Sequence, residues 1–430
     1  MADRLLIKGG LVIDPSQKLE AVRDVLLEGG KVKDVAAGLS KKPALKDVEI
    51  LDASRQWVVP GLIDMHVHLR EPGRELDETI ATGTRAAARG GFTTVLAMPN
   101  TEPPVDNPSV ARFVKAKALS DGAVNVLVAG AVTIGQKGER LTEIGQMAEA
   151  GISAISDDGR PLMNSELMRR ALEYGRDFGL AVIDHCEDEN LSAGAPVHEG
   201  ARAAAKGLRG APGAAESIMV LRDIALSKLT GAPVHIAHVS SAASVEALRA
   251  AKKRGVPVSA EATPHHFALC EDDAPGYDAN FKMNPPLRSR DDRQAIIEGL
   301  SDGTLDAIAT DHAPHGPGKK ALGMALAPFG VIGLETSLGL ALTRLVGPRK
   351  LSRRGLVERM SRAPARILGL KGKGSLAKGC DADITLIDPE ASWTVELPFA
   401  SKSRNSPFIG LRLKGRARAT IVGGRLVHAL

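Results

Sequence analysis

Pro60-Gly61-Leu62-Ile63-Asp64-Met65-His66-Val67-His68-Leu69-Arg70-Glu71-Pro72-Gly73 is the stretch on which the reading of the chain turns. An apolar run from Trp57 to Ile63 leads into it, as a strand buried on both faces requires. The strand then reaches His-x-His, and residues two apart on a strand share a face. His66 and His68 can therefore aim two imidazole nitrogens at one cation, which supplies the partner a buried His pair needs. Arg70 continues on the same side, and Pro72-Gly73 end the strand.

Seven further apolar, β-rich runs follow. With the first, the expected strands are 58–66, 93–98, 124–129, 152–156, 180–184, 233–237, 256–261 and 305–310. Helical patterning fills most of the gaps, over 75–90, 108–120, 140–150, 164–178, 214–230, 241–254, 289–300 and 332–345. Eight strand–helix units predict an α/β fold, a (β/α)8 TIM barrel over 58–371. An open doubly wound sheet is the rival, but no Gly-x-Gly-x-x-Gly turn follows a first strand. Residues 1–57 and 372–430 read as short strands, with hairpin signals at Gly29-Gly30 and Gly423-Gly424. Chain ends tend to lie close together, so both termini are expected to build one small β-sandwich domain.

Composition excludes several classes of function. The net charge is +5 with 25% charged residues, and the basic residues are scattered; aromatics are only 3%, which speaks against a nucleic-acid groove. Cys186, Cys270 and Cys380 are too few and too far apart for a disulfide framework, and they fit a reducing cytoplasm. Met1-Ala2-Asp3-Arg4 leads straight into a strand-like segment, so no signal peptide is expected. Glu335 and Arg344 interrupt the apolar stretch 331–346, which reads as a buried helix, and no membrane span is expected.

In such a barrel the chemistry gathers at the C-terminal strand ends. Those ends carry His66, His68 and Arg70; Asn100; Asp157 and Asp158; His185; His238; His265 and His266; and Asp311, His312 and His315. His and Asp recur there as metal ligands or proton carriers would. Pleat alternation puts His235 and His238, three apart, on opposite sides, with His238 toward the site and His235 toward the helices. Asp157 and Asp158 also diverge, and alternation does not choose between them. Cys186 should point away from His185 as a small buried hydrophobe. Four His and two Asp exceed one tetrahedral shell and suit a pair of metals sharing a water, an arrangement fit to hydrolyse an amide-like bond.

These motifs resemble the amidohydrolase superfamily, and within it the bacterial dihydroorotases that lack a carboxylated lysine. The resemblance spans essentially the whole chain. It is carried by Asp64 to Gly73, Met98-Pro99-Asn100-Thr101, Ser156-Asp157-Asp158-Gly159 and His185-Cys186-Glu187-Asp188. It continues through His238-Val239-Ser240, Glu261 to His266, Asn284-Pro285-Pro286-Leu287-Arg288, Asp311 to His315 and Pro328 to Thr336. The resemblance implies two Zn2+ per chain, with His66, His68 and Asp311 on one and His185 and His238 on the other, bridged by Asp158. It implies substrate contacts at His68, Arg70, Asn100, Asn284, His315, Phe329 and Gly330, with Asp311 as proton shuttle. The implied reaction is the reversible closure of N-carbamoyl-L-aspartate to L-dihydroorotate in pyrimidine synthesis. A homodimer, and association with aspartate transcarbamoylase, are implied partners.

Allantoinases and hydantoinases share His-x-His and the barrel, but their substrates lack the ring carboxylate and many carry a carboxylated lysine on the fourth strand. Here that strand ends in Ser156-Asp157-Asp158. A non-catalytic homologue that only scaffolds the transcarbamoylase would have lost ligands, and all six stand. The loop 316–327 is the one departure: it is basic where the resemblance implies acidic residues, with consequences expected for loop mobility or partner contacts rather than for the site.

Overall fold

The computed structural model describes residues 4–430. Eight parallel strands pair in chain order: Leu62–Val67, Phe92–Ala97, Asn125–Gly130, Ala154–Ile155, Ala181–Asp184, Val234–Ile236, Val258–Ala262 and Ala307–Ile308. The ring closes where His312 bridges Val67 and the His68 N–H donates to the His312 carbonyl at 2.9 Å. The TIM barrel is thus the observed fold. Alternation along the strands builds two cores. Leu96, Ala129, Ala154, Ile183, Ala237 and Ala307 fill the interior. Their chain neighbours Val95, Val128, Ile155, Val182, Ile236 and Ile308 pack against the helices.

The helices begin where the sequence supplies caps. Thr79, Asn107, Asn164, Ser241 and Ser289 each accept backbone N–H groups at a first turn. The first helix is Ile80–Gly90, five residues later than the pattern from 75 predicted, because the capping box at Thr79 sets its start. The helix expected over 332–345 starts at Ser337 and continues as a π-helical turn, Leu342–Val346. Its first residues are taken up elsewhere, since Val331 bridges His312 and Gly333 N–H donates to His312 Nδ1 at 3.2 Å.

The apolar run expected as one strand over 58–66 is two strands. Trp57–Pro60 pairs antiparallel with the C-terminal strand Ile384–Thr394 and parallel with the N-terminal strand Arg4–Asp14. The chain enters the barrel at Gly61, whose backbone lies so close to Thr93 that a Cβ would sit 2.0 Å from its hydroxyl. Both termini therefore join one eight-stranded sheet, which closes over Ile7, Val25, Val58, Ile384, Leu386 and Ile421. No helix among the described residues is long and apolar enough to cross a membrane.

Candidate active site

Three residues at the barrel mouth have a positive φ, uncommon outside glycine: Arg70 (φ 60°), His238 (φ 31°) and Asp311 (φ 47°). Each lies just past the end of a strand, where pleat alternation no longer applies. Both His235 and His238 therefore face the barrel interior, against the expectation that His235 packs on the helices. The His235 Nδ1 contacts Ser259 Oγ at 2.8 Å and its Nε2 contacts Glu261 Oε2 at 3.1 Å. His238 turns into the site only because the backbone flips there.

The four His converge on Asp158. Its Oδ1 lies 3.1 Å from His66 Nε2, 3.6 Å from His238 Nε2 and 3.8 Å from His185 Nδ1. Its Oδ2 lies 3.4 Å from His68 Nε2, and Asp311 Oδ1 lies 3.1 Å from the same nitrogen. Asp157 points the other way, accepting from the Val132 and Thr133 N–H groups at 2.8 and 3.1 Å. The geometry thus separates the two carboxylates that alternation left open.

Whether these groups fit a divalent cation is tested by the atoms that lack partners. His66 Nε2 and Asp158 Oδ1 are buried and make no hydrogen bond. The His66 Nδ1–H is spent on Glu261 at 3.0 Å, and the His68 Nδ1–H on Asn100 Oδ1 at 2.8 Å. Each ring so held turns a lone pair to the common centre, which is the donor set a divalent metal satisfies. Ligand atoms of His66, His68 and Asp311 fall within 4.8 Å of one another, as do those of His66, Asp158 and His238. His185 approaches from the far side, its Nδ1 2.9 Å from His238 Nε2. The residues present fit the binding of divalent metal.

Asp184, Cys186 and Asp223 also cluster, with the thiol 3.4 Å from a carboxylate oxygen of each Asp. Arg222 fills that cluster's charge, its Nη2 2.7 Å from Asp223 and 3.1 Å from Asp184. Cys186 is buried as expected, within the hydrophobic core between strands and helices, with its thiol also against the two carboxylates.

Two acidic residues with no expected role prove central. Glu261 is fully buried and joins His66 to His235; burial opposes its charge, yet the two His hold its carboxyl down at about 2. Glu187 accepts from His185 Nε2 at 2.9 Å and from Asn284 Nδ2 at 2.7 Å. Their signal in the sequence was a Glu at an inward strand position and a Glu two residues past His185. Glu261→Gln is expected to weaken metal affinity about 10- to 100-fold, because a ligand held in the wrong tautomer binds poorly. Titration of the metal-free protein with zinc checks this; wild-type affinity in the variant contradicts it.

A cavity of about 280 Å³ opens above the cluster, lined by His68, Arg70, Asn100, Asn284, Asp311, His315, Phe329 and Gly330 among others. Every expected substrate contact is in it. Arg70 is 5% exposed, donates from Nε to the Pro314 carbonyl at 3.2 Å, and makes no ion pair among the described residues. Burial lowers it to about 10, so it stays charged at neutral pH. His315 donates to the Phe329 carbonyl at 2.7 Å; burial, then the charge of Arg70, hold it neutral at about 3. The atypical loop 316–327 touches this wall: Lys320 Nζ is buried and donates to the carbonyls of Pro328 (3.0 Å), Gly330 (2.9 Å) and Lys282 (3.2 Å). A larger cavity of about 520 Å³, near Trp57 and Pro389, contains none of these groups.

A barrel with His and Asp converging at its strand ends defines an amidohydrolase. The dihydro-orotase-like family matches residues 55–244. The dihydroorotase of Pelotomaculum thermopropionicum is 56% identical over 425 residues, 99% of this chain and 98% of that one. That of Anaeromyxobacter dehalogenans strain 2CP-C is 52% identical over 431 residues, 100% and 98% of the two chains. Among solved structures, the L-hydantoinase of Arthrobacter aurescens superimposes with a TM-score of 0.89 at 26% identity, covering 100% of this chain and 96% of that one. The chain belongs to the dihydroorotase family.

Proposed function

We propose that this chain is a zinc-dependent dihydroorotase that interconverts N-carbamoyl-L-aspartate and L-dihydroorotate. The observation that carries the reading is Arg70, a buried guanidinium facing the cavity without a carboxylate partner. Such a charge calls for an anionic ligand, and a ring carboxylate supplies one in bidentate geometry. The fold likeness to hydantoinases gives the rival reading, a cyclic amidase for neutral rings. Identity of 50% or more to dihydroorotases over the full chain, with Arg70 in the cavity, favours the carboxylated substrate.

Imidazole nitrogens and carboxylate oxygens suit zinc, and ions held there supply an acidified water and a Lewis acid for the amide oxygen. In the hydrolytic direction Asp311 accepts the proton of the attacking water and passes it to the departing ring nitrogen. Burial opposes charge on Asp311, but the hydrogen bond to His68 holds its carboxyl below the usual range, so it stands ionised. Arg70, His315 and the Phe329-Gly330 backbone orient the carboxylate end. Asn284, anchored by Glu187, borders the ring.

Kinetics on dihydroorotate beside allantoin and hydantoin test the reading; preference for a neutral ring refutes it. Protein purified without chelator should hold about two zinc ions per chain, since six ligands exceed one tetrahedral shell. Full activity with one ion, measured by elemental analysis, would contradict the shared site. A homodimer and association with aspartate transcarbamoylase belong to the same reading. Light scattering of the chain alone, and mixed with that enzyme, checks both.

A further inference from the structure

Between Thr394 and Arg412 the chain leaves the terminal sheet and reaches the loops at the barrel mouth. Ser403 Oγ donates to the Asp77 carbonyl at 2.7 Å, and the Lys402 N–H donates to Glu78 at 3.1 Å. Two residues on is Asn405, only 2% exposed and fully committed in its hydrogen bonds. Its Oδ1 accepts from the His315 N–H at 3.1 Å, and its Nδ2 donates to the carbonyls of Ala313 and Gly330, each at 3.0 Å. Its own carbonyl accepts from the Ile332 N–H at 2.9 Å.

This planar amide grips the backbone on both sides of Pro314, whose carbonyl in turn anchors Arg70 Nε. The same Nδ2 holds Gly330, next to the Phe329 carbonyl that fixes the His315 ring. Asn405 therefore ties together the two segments that flank Arg70 without itself lining the cavity. We propose that Asn405 is a positioning residue of the carboxylate subsite, setting the spacing between Arg70, His315 and Gly330 and so the preference for an anionic ring. The inference rests on the carboxylated-ring reading above. A misplacement of about 1 Å at such a site is enough to cost on the order of 100-fold in rate. An amide that served the fold alone would change how much protein is active, not which substrate it prefers.

The test compares kcat/KM for L-dihydroorotate with that for its neutral carboxamide, the ring being otherwise the same. In Asn405→Ala the carboxylate-to-carboxamide ratio should fall at least about tenfold, mainly through the KM of the charged substrate. Asn405→Asp keeps the acceptor for His315 and loses both donated bonds, and its ratio should fall in the same direction. The ratio does not depend on the fraction of protein that folds, so it is read on whatever soluble fraction each variant yields. A wild-type ratio in both variants overturns the proposal. A wild-type enzyme that does not distinguish the two substrates overturns instead the carboxylated-ring reading beneath it.

Discussion

Asp158→Ala is expected to empty most of the metal site and lower kcat/KM on the order of 1,000-fold or more, while Asp157→Ala keeps its metal. The two carboxylates are adjacent in sequence but do opposite work. Asp158 stands within 3.8 Å of the ligand nitrogens of all four His, so its loss removes the group that neutralises and links them. Asp157 binds the backbone of residues 132–133, and burial pushes its carboxyl up to about 6. Its removal leaves two buried N–H groups unpaired and should destabilise the fold by about 1–3 kcal/mol. Elemental analysis and thermal melting on both variants decide the matter. Equal metal loss with folding intact would contradict the assignment.

Arg70→Met should hold its metal and lose on the order of 100-fold or more in kcat/KM on dihydroorotate. Met keeps much of the length and removes the charge, so a substrate carboxylate would be buried unpaired. Lysine should rescue only in part, because it lacks the planar fork. The competing role for Arg70 is to prop the Glu71-Pro72-Gly73 turn, through its left-handed backbone and the bond to Pro314. That role predicts a lower melting temperature with kcat/KM little changed in the protein that stays folded. Melting and steady-state kinetics on one preparation separate the two, and wild-type kcat/KM would remove the main reason to prefer a carboxylated ring.

The barrel and the identity of its candidate ligands were legible in the chain itself. Short continuous apolar runs alternating with helical patterns mark the barrel, because strands buried on both faces and helices with one apolar face leave different patterns. His66, His68, His185 and Asp311 could be picked out because each stands at or just past the end of a strand, and alternation or strand-end position then governs where a side chain goes.

Local pattern failed where the backbone leaves the strand or where a partner comes from far along the chain. His235 was misplaced because the flip at His238 breaks the alternation on which the inference depended. The split at Gly61 follows from a contact with Thr93 and pairing with Ile384–Ile387, neither of which marks the sequence around it. The choice of Asp158 over Asp157, the bridging of His66 and His235 by Glu261, and the hold of Asn405 on Ala313, His315 and Gly330 are of the same kind. Sequence determined which residue types stand at the barrel mouth, since strand periodicity is local. Tertiary structure alone decided which of them face one another, since those distances depend on closing the ring and on a segment folded back from about 90 residues away.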